Sequence, residues 1–243
     1  MTPFGYELEF CGANLPRLSK GMQIPLYPKR KCKNYDTFHL ETEEKITTEN
    51  LNGGELISPI YKEKALALQE LKEVLKVLKI HQAYIPEKSR NTAIHVHLEK
   101  SFLKEEKVYY EALLKFLYAF QSEIFEYAAY QEGIRPNVYD NCSPLKEADI
   151  IGFLNDFPKN IEFASKRKCI RFTKETFELR YFSSSLDFER ARLPLEFAFS
   201  LADYIGNEKW NMKEINTWYR NTYIYPRGYN PERAEILKNT LHL

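Results

Sequence analysis

The sequence lacks a Cys-x-x-Cys pair, an apolar run near the roughly 20 residues that span a bilayer, and almost any net charge. Its cysteines, Cys11, Cys32, Cys142 and Cys169, stand far apart. With no secretory leader at MTPFGYELEF, they are expected to be free thiols in a reducing compartment, the cytoplasm. Lys and Arg total 35 against 34 Asp and Glu. That balance gives no reason to expect nucleic acid or an anionic membrane as the main partner. The basic clusters at 27–33 and 165–169 are short and read as solvated loops. A GxxxxGKS/T loop, a GxGxxG turn before a helix and a kinase-type HRD/DFG set are all missing, so the common nucleotide-binding loops are excluded. There is no internal repeat or low-complexity linker, and a single domain is expected over 1–243.

What is present is a core. Hydrophobic residues make up 44% of the chain and aromatics 14%, which marks a folded protein. Alternation predicts strands at 4–10, 37–43, 52–61 and 92–99, the third opening on a turn-forming Asn-Gly-Gly, and a hairpin of 168–173 with 176–182. Helical spacing of Leu68, Leu71, Leu75 and Leu78 predicts an amphipathic helix over 62–82. Further helices are expected over 104–131, just after Ser143 with Pro144 in the first turn, over 185–206 and over 231–240. Strands interrupted by long helices give an α+β fold, an antiparallel or mixed sheet with helices on one side.

Several of these strands carry ionisable residues in phase. Phe4, Tyr6, Leu8 and Phe10 share one face of the first strand, and Gly5, Glu7 and Glu9 the other. His95 and His97 alternate with Ile94, Val96 and Leu98. Glu178 and Arg180 alternate with Phe177, Leu179 and Tyr181, and Glu55 adds another carboxylate. Each pattern alone has an ordinary reading: a solvated face for Glu-x-Glu, a structural ion pair for Glu-x-Arg. Gathered on one sheet they make a different object. Mg²⁺ prefers carboxylate oxygens together with substrate phosphate, and guanidinium and imidazole suit the phosphate. Carboxylates crowded without a cation would raise one another's pKa values.

The ordered motifs FGYELEF, GGELISPIY, AIHVHLE, IRPNVYDNCSPL and TFELRYFSSSLD resemble those of the amidoligase family. That family belongs to the carboxylate–amine ligase superfamily, with glutamine synthetase and glutamate–cysteine ligase. The resemblance runs from Phe4 to about Tyr204. It implies a glutamine-synthetase-like fold, a sheet forming a half-open funnel with helices on its outer face and ATP and Mg²⁺ (Mn²⁺ as an alternative ion) held over it. It also implies Glu7, Glu9, Glu55, His95 and Glu178 as metal ligands. His97, Arg135 and Arg180 would contact nucleotide or phosphate, Arg180 and Glu55 would serve catalysis, and Ser58 and Tyr139 would contact substrate. The chain departs from the family pattern at three places. The D-x-S element ahead of E-L-x-S-P is missing, and Glu43 is its nearest match. Thr92-Ala93 replace Cys-Gly, and Ser184-Ser185 replace Gly-Thr. These differences bear on substrate choice more than on the metal set.

The expected activity is ATP- and Mg²⁺-dependent amide-bond formation through an acyl phosphate. Its substrates would be a small-molecule or peptide carboxylate and an amine, including cell-wall-type precursors. Two alternatives share the residues: a binding protein that has lost catalysis, and a metal-dependent hydrolase that activates water. The excess of Glu over His favours Mg²⁺ over zinc.

Overall fold

The structure is a computed structural model that describes residues 2–28, 36–48, 51–86, 92–128, 142–159, 168–222 and 229–243. It is a mixed α+β architecture built on a seven-stranded open sheet. The strands are β1 (Phe4–Phe10), β2 (Leu26–Tyr27), β3 (His39–Thr48), β4 (Leu51–Ile57), β5 (Ala93–Glu99), β6 (Ile170–Phe172) and β7 (Thr176–Ser183), in the spatial order β2-β3-β4-β1-β5-β7-β6. Every pairing is antiparallel except β2 with β3, which is parallel. The first strand therefore lies at the centre, flanked by β4 and β5.

The alternation read from the sequence decides which face is dry. Phe4, Tyr6, Leu8 and Phe10 are buried, as are Ile94, Val96, Leu98, Phe177 and Leu179 on the neighbouring strands. Helices cover this face: α1 (Leu15–Met22) over β3, α4 (Gln121–Ala128) over β7 and α7 (Leu193–Gly206) over β5. Helix α2 (Lys64–Ile80) buries Ala67, Leu71, Val74, Leu75 and Leu78 into the same cluster, while Leu68 is only partly buried.

Several boundaries differ from expectation for local physical reasons. The helix expected over 104–131 starts only at Lys107, because Lys104 and Glu105 adopt left-handed backbone (φ 48° and 55°) that a right-handed helix does not accommodate. It is then divided at Phe120 (φ −106°) into α3 (Lys107–Ala119) and α4. The helix expected after Ser143 begins at Glu147 as α5 (Glu147–Asp156), where the Asp149 carboxylate accepts the Lys146 N–H at 2.8 Å. Pro144 stands ahead of it, in a segment tied to the Cys169 N–H through the Ser143 carbonyl. The span 185–206 holds α6 (Phe188–Ala191), capped by Asp187, and then α7, with Pro194 in its first turn lacking the N–H that would continue one ladder. Among the described residues, two α-helices escaped the sequence reading, α1 and α8 (Met212–Asn221). Both begin at an asparagine whose side chain accepts a backbone N–H, Asn14 from Arg17 and Asn211 from Lys213. The C-terminal helix α9 (Pro231–Leu241) starts at Asn230 in the same way.

Gly53 and Gly54 lie inside β4 and not in a turn. A Cβ on Gly54 would come 2.6 Å from Leu15 Cδ2 and 2.8 Å from Phe10 Cζ, so glycine lets α1 press onto the sheet. On β7, Val96 pairs with Leu179 but Ile94 with Phe182, so an extra residue is accommodated opposite His95. This bulge turns both Tyr181 and Phe182 into the core, where their rings meet Phe125 and Phe197, while Arg180 stays on the opposite face.

Candidate metal and phosphate site

Residues directly opposite in an antiparallel ladder project from the same face, so the register lays out the polar side of the sheet in rows. Glu41, Glu55 and Glu9 form one row across β3, β4 and β1. Glu7 and His95 pair in the next, flanked by Ile57 and beyond it His39. Gly5, His97, Glu178 and Arg171 form the third, across β1, β5, β7 and β6. Acid therefore concentrates at one side of the face and guanidinium at the other.

The side chains meet closely. Glu7 stands between the two histidines, with Oε2 3.2 Å from His95 Nδ1 and Oε1 3.1 Å from His97 Nε2. The His97 contact is an ion pair, and His97 Nε2 has no hydrogen-bond partner among the described residues. His95 Nδ1 is also 3.8 Å from Glu178 Oε1, which the Arg180 guanidinium bonds from its own strand. Glu9 Oε2 accepts the Ala93 N–H at 2.7 Å, tying β1 to the start of β5. Ser184, also buried, has its hydroxyl within hydrogen-bonding distance of carbonyls on both strands, which share its one hydrogen. Glu7, His95 and Glu178 can each offer one ligand atom, all within 4.8 Å of one another, and so can Glu9, Glu55 and His95. His95 belongs to both triads.

The metal ligands expected from sequence, Glu7, Glu9, Glu55, His95 and Glu178, are thus brought together, with His97 and Arg180 beside them. Ser58 is placed differently: it is buried, its hydroxyl accepting the Tyr6 N–H at 2.8 Å and donating to the Pro59 carbonyl at 2.9 Å. It holds β1 to the end of β4, which leaves it no hydrogen for a substrate. Arg135 and Tyr139 lie outside the described residues. Glu43 pairs with Gly53, and the acid opposite Glu55 is Glu41. His39, Glu41 and Arg171 share the polar face and were missed from sequence.

Charge and burial set the ionisation. Burial raises the Glu7 carboxyl, but His97 and then His95 outweigh it and hold Glu7 well below the usual carboxylate range. Glu178 is also raised by burial and lowered on balance by His97, His95 and Arg180. For His97 burial favours the neutral ring, and Glu7 and Glu178 overcome it, so its pKa is raised. Glu9 goes the other way: burial dominates and its carboxyl is raised despite His95 and the Ala93 N–H. That is the mark of a buried carboxylate short of positive charge, which a divalent cation would supply. The donor set suits the ion, since most of its members are hard oxygens of the kind Mg²⁺ and Mn²⁺ take.

These directions fix a pH dependence for the metal-free protein. His97, raised on folding, contributes stability in full below its ordinary pKa of about 6.5 and loses it as the pH climbs through the folded value. Glu7 and Glu178, depressed on folding, contribute stability above the ordinary carboxylate pKa that is lost as the pH falls through their folded values. The melting temperature is expected to fall as the pH rises above about 6.5 and through the raised pKa of His97, and His97→Gln to flatten that fall. Parallel profiles for wild type and variant would refute the pairing.

No protein-family model matches the sequence, and no curated protein matches it. Among solved structures, the chain is similar to a bifunctional glutathione synthetase from Pasteurella multocida, with 11% identity and a TM-score of 0.46. The match covers 99% of this chain and 46% of that one, so the chain spans about half the length of that protein. A likeness of this degree decides nothing about the site, whose reading rests on its own residues. Among the described residues, no helix is long and apolar enough to cross a membrane.

Proposed function

We propose that the protein is an ATP- and Mg²⁺-dependent carboxylate–amine ligase of the amidoligase type. The observation that carries this reading is the convergence of Glu7, Glu9, Glu55, His95 and Glu178 on one sheet face as two ligand triads sharing His95. The ordered motifs that resemble the amidoligase family support it.

In this reading Glu7, His95 and Glu178 hold one edge of the metal site and Glu9 and Glu55 the other. Mg²⁺, when bound, neutralises the phosphate oxygens and supports phosphoryl transfer from ATP to the substrate carboxylate. Arg180 lies beside Glu178 to stabilise charge on the transferred group. His97, whose pKa Glu7 and Glu178 raise, stands on the same side. The amine then displaces phosphate from the acyl phosphate, which gives the amide and releases ADP and phosphate in one-to-one ratio.

The test is to incubate purified protein with Mg·ATP and pooled amino acids and to measure ADP and phosphate. Amine-dependent release that requires Mg²⁺ is expected. Metal-dependent cleavage of substrate without ATP would replace this reading with hydrolysis, and nucleotide binding without turnover would replace it with a binding protein.

A further inference from the structure

On the helix-covered side of the sheet, away from the polar face, a cavity of about 530 Å³ opens between the 3₁₀ turn Lys100–Leu103, α7 and the end of α9. Its floor is apolar, with Phe102, Phe199, Ala202 and Leu241 all buried there. Both rings continue into the core that backs the metal face. The Phe199 and Phe4 rings meet edge-on, their centroids 4.3 Å apart, and Phe102 lies 6.2 Å from Phe177, the neighbour of Glu178.

The rim is polar, and its donors are unspent. Lys64, at the start of α2, is exposed and has no ion-pair partner among the described residues. The Ser101 and Ser200 hydroxyls on the same cavity make no hydrogen bond among the described residues either. The acid at the rim is already matched. Asp203 receives Asn207 Nδ2 on one carboxylate oxygen and Lys209 Nζ on the other, each at 2.5 Å. The cavity therefore presents a positive charge and two hydroxyls over an apolar floor.

We propose that this cavity binds a small monocarboxylate with an apolar body, its head on Lys64, Ser101 and Ser200 and its body on Phe102, Phe199 and Leu241. The ammonium gives the carboxylate a charge-assisted bond, and the hydroxyls donate to its remaining lone pairs. One lysine balances one negative charge. The floor accounts for the body, because a bare inorganic anion would lose water against it without gaining a partner. The volume lies within the roughly 300–1,000 Å³ of small-molecule sites. This site is separate from the metal face and does not depend on the ligase reading.

Isothermal titration calorimetry of the whole chain with 3-phenylpropionate tests this, alongside 3-phenylpropanol and 3-phenylpropylamine, which keep the body and change the head. The acid is expected to bind saturably with a Kd on the order of 0.1 mM, the alcohol about tenfold more weakly and the amine more weakly still. Lys64→Ala is expected to bring the acid down to the affinity of the alcohol, and Lys64→Arg to restore it to within about threefold. Ala202→Leu, which fills the floor, is expected to abolish binding of both acid and alcohol. Lys64→Ala alters only an exposed side chain and carries the test if Ala202→Leu does not fold. Glu7→Gln is expected to leave all three affinities unchanged. Absence of saturable binding, equal affinity for acid and amine, or an acid indifferent to Lys64→Ala would overturn the proposal. So would loss of the acid in Glu7→Gln, which would place the carboxylate on the metal face and leave the ligase reading standing.

Discussion

Glu7→Gln is expected to reduce Mg²⁺-dependent ADP release by on the order of 10³-fold, a loss of about 4 kcal/mol of transition-state stabilisation. Gln keeps the shape of the side chain and removes its charge. Glu7 is the residue on which the site turns, because its two oxygens face His95 and His97 and it belongs to a ligand triad with His95 and Glu178. The amide of Gln is a poor ligand for a hard cation and takes away the negative charge that raises the His97 pKa. The variant should stay folded, since the apolar face of β1 is untouched, and circular dichroism alongside the assay checks that. Turnover within about threefold of wild type would remove Glu7 from the chemistry.

The second large effect lies one residue from the site and on the opposite face. Phe177→Ala is expected to cost about 3–5 kcal/mol, a large share of the roughly 5–15 kcal/mol that holds a typical domain together. Phe177 is fully buried, its ring 5.0 Å from Phe172 on β6 and 6.2 Å from Phe102. It pins the pleat that sends Glu178 to the other side, so cavity formation there loosens the strand carrying both Glu178 and Arg180. Urea unfolding measures it, as a lowered midpoint at constant slope. A loss below about 1 kcal/mol would mean that the neighbouring rings collapse into the space.

How much of this was legible differs from residue to residue. In-phase pairs such as Glu7/Glu9 and His95/His97 could be read because a strand has period two, and each apolar set then had to face the helices. Which pairs would meet across strands depended on a register set far away in sequence. The order of strands around β1 has no local signature. Arg171 was within reach, since the tight hairpin through residues 173–176 sets it opposite Glu178, but one arginine in KCIRFT has no in-phase partner to draw notice. His39 and Glu41 were hidden because TFHLETE alternates weakly, so Glu43 was preferred where Glu41 faces Glu55. The bulge at Arg180–Tyr181 left only one trace, the adjacent aromatics Tyr181 and Phe182 that break the alternation. The helix starts at Asn14 and Asn211 carried a capping signal that a search for apolar periodicity passes over.

The central claim is that this sheet face binds a divalent cation between Glu7, His95 and Glu178. Crystals grown with Mn²⁺ and a non-hydrolysable ATP analogue, measured at the manganese absorption edge, test it most directly. The account predicts an anomalous peak among these three side chains, with carboxylate oxygens at about 2.1–2.2 Å from the ion. An ordered polar face with no peak there, or manganese held only elsewhere on the protein, would contradict it.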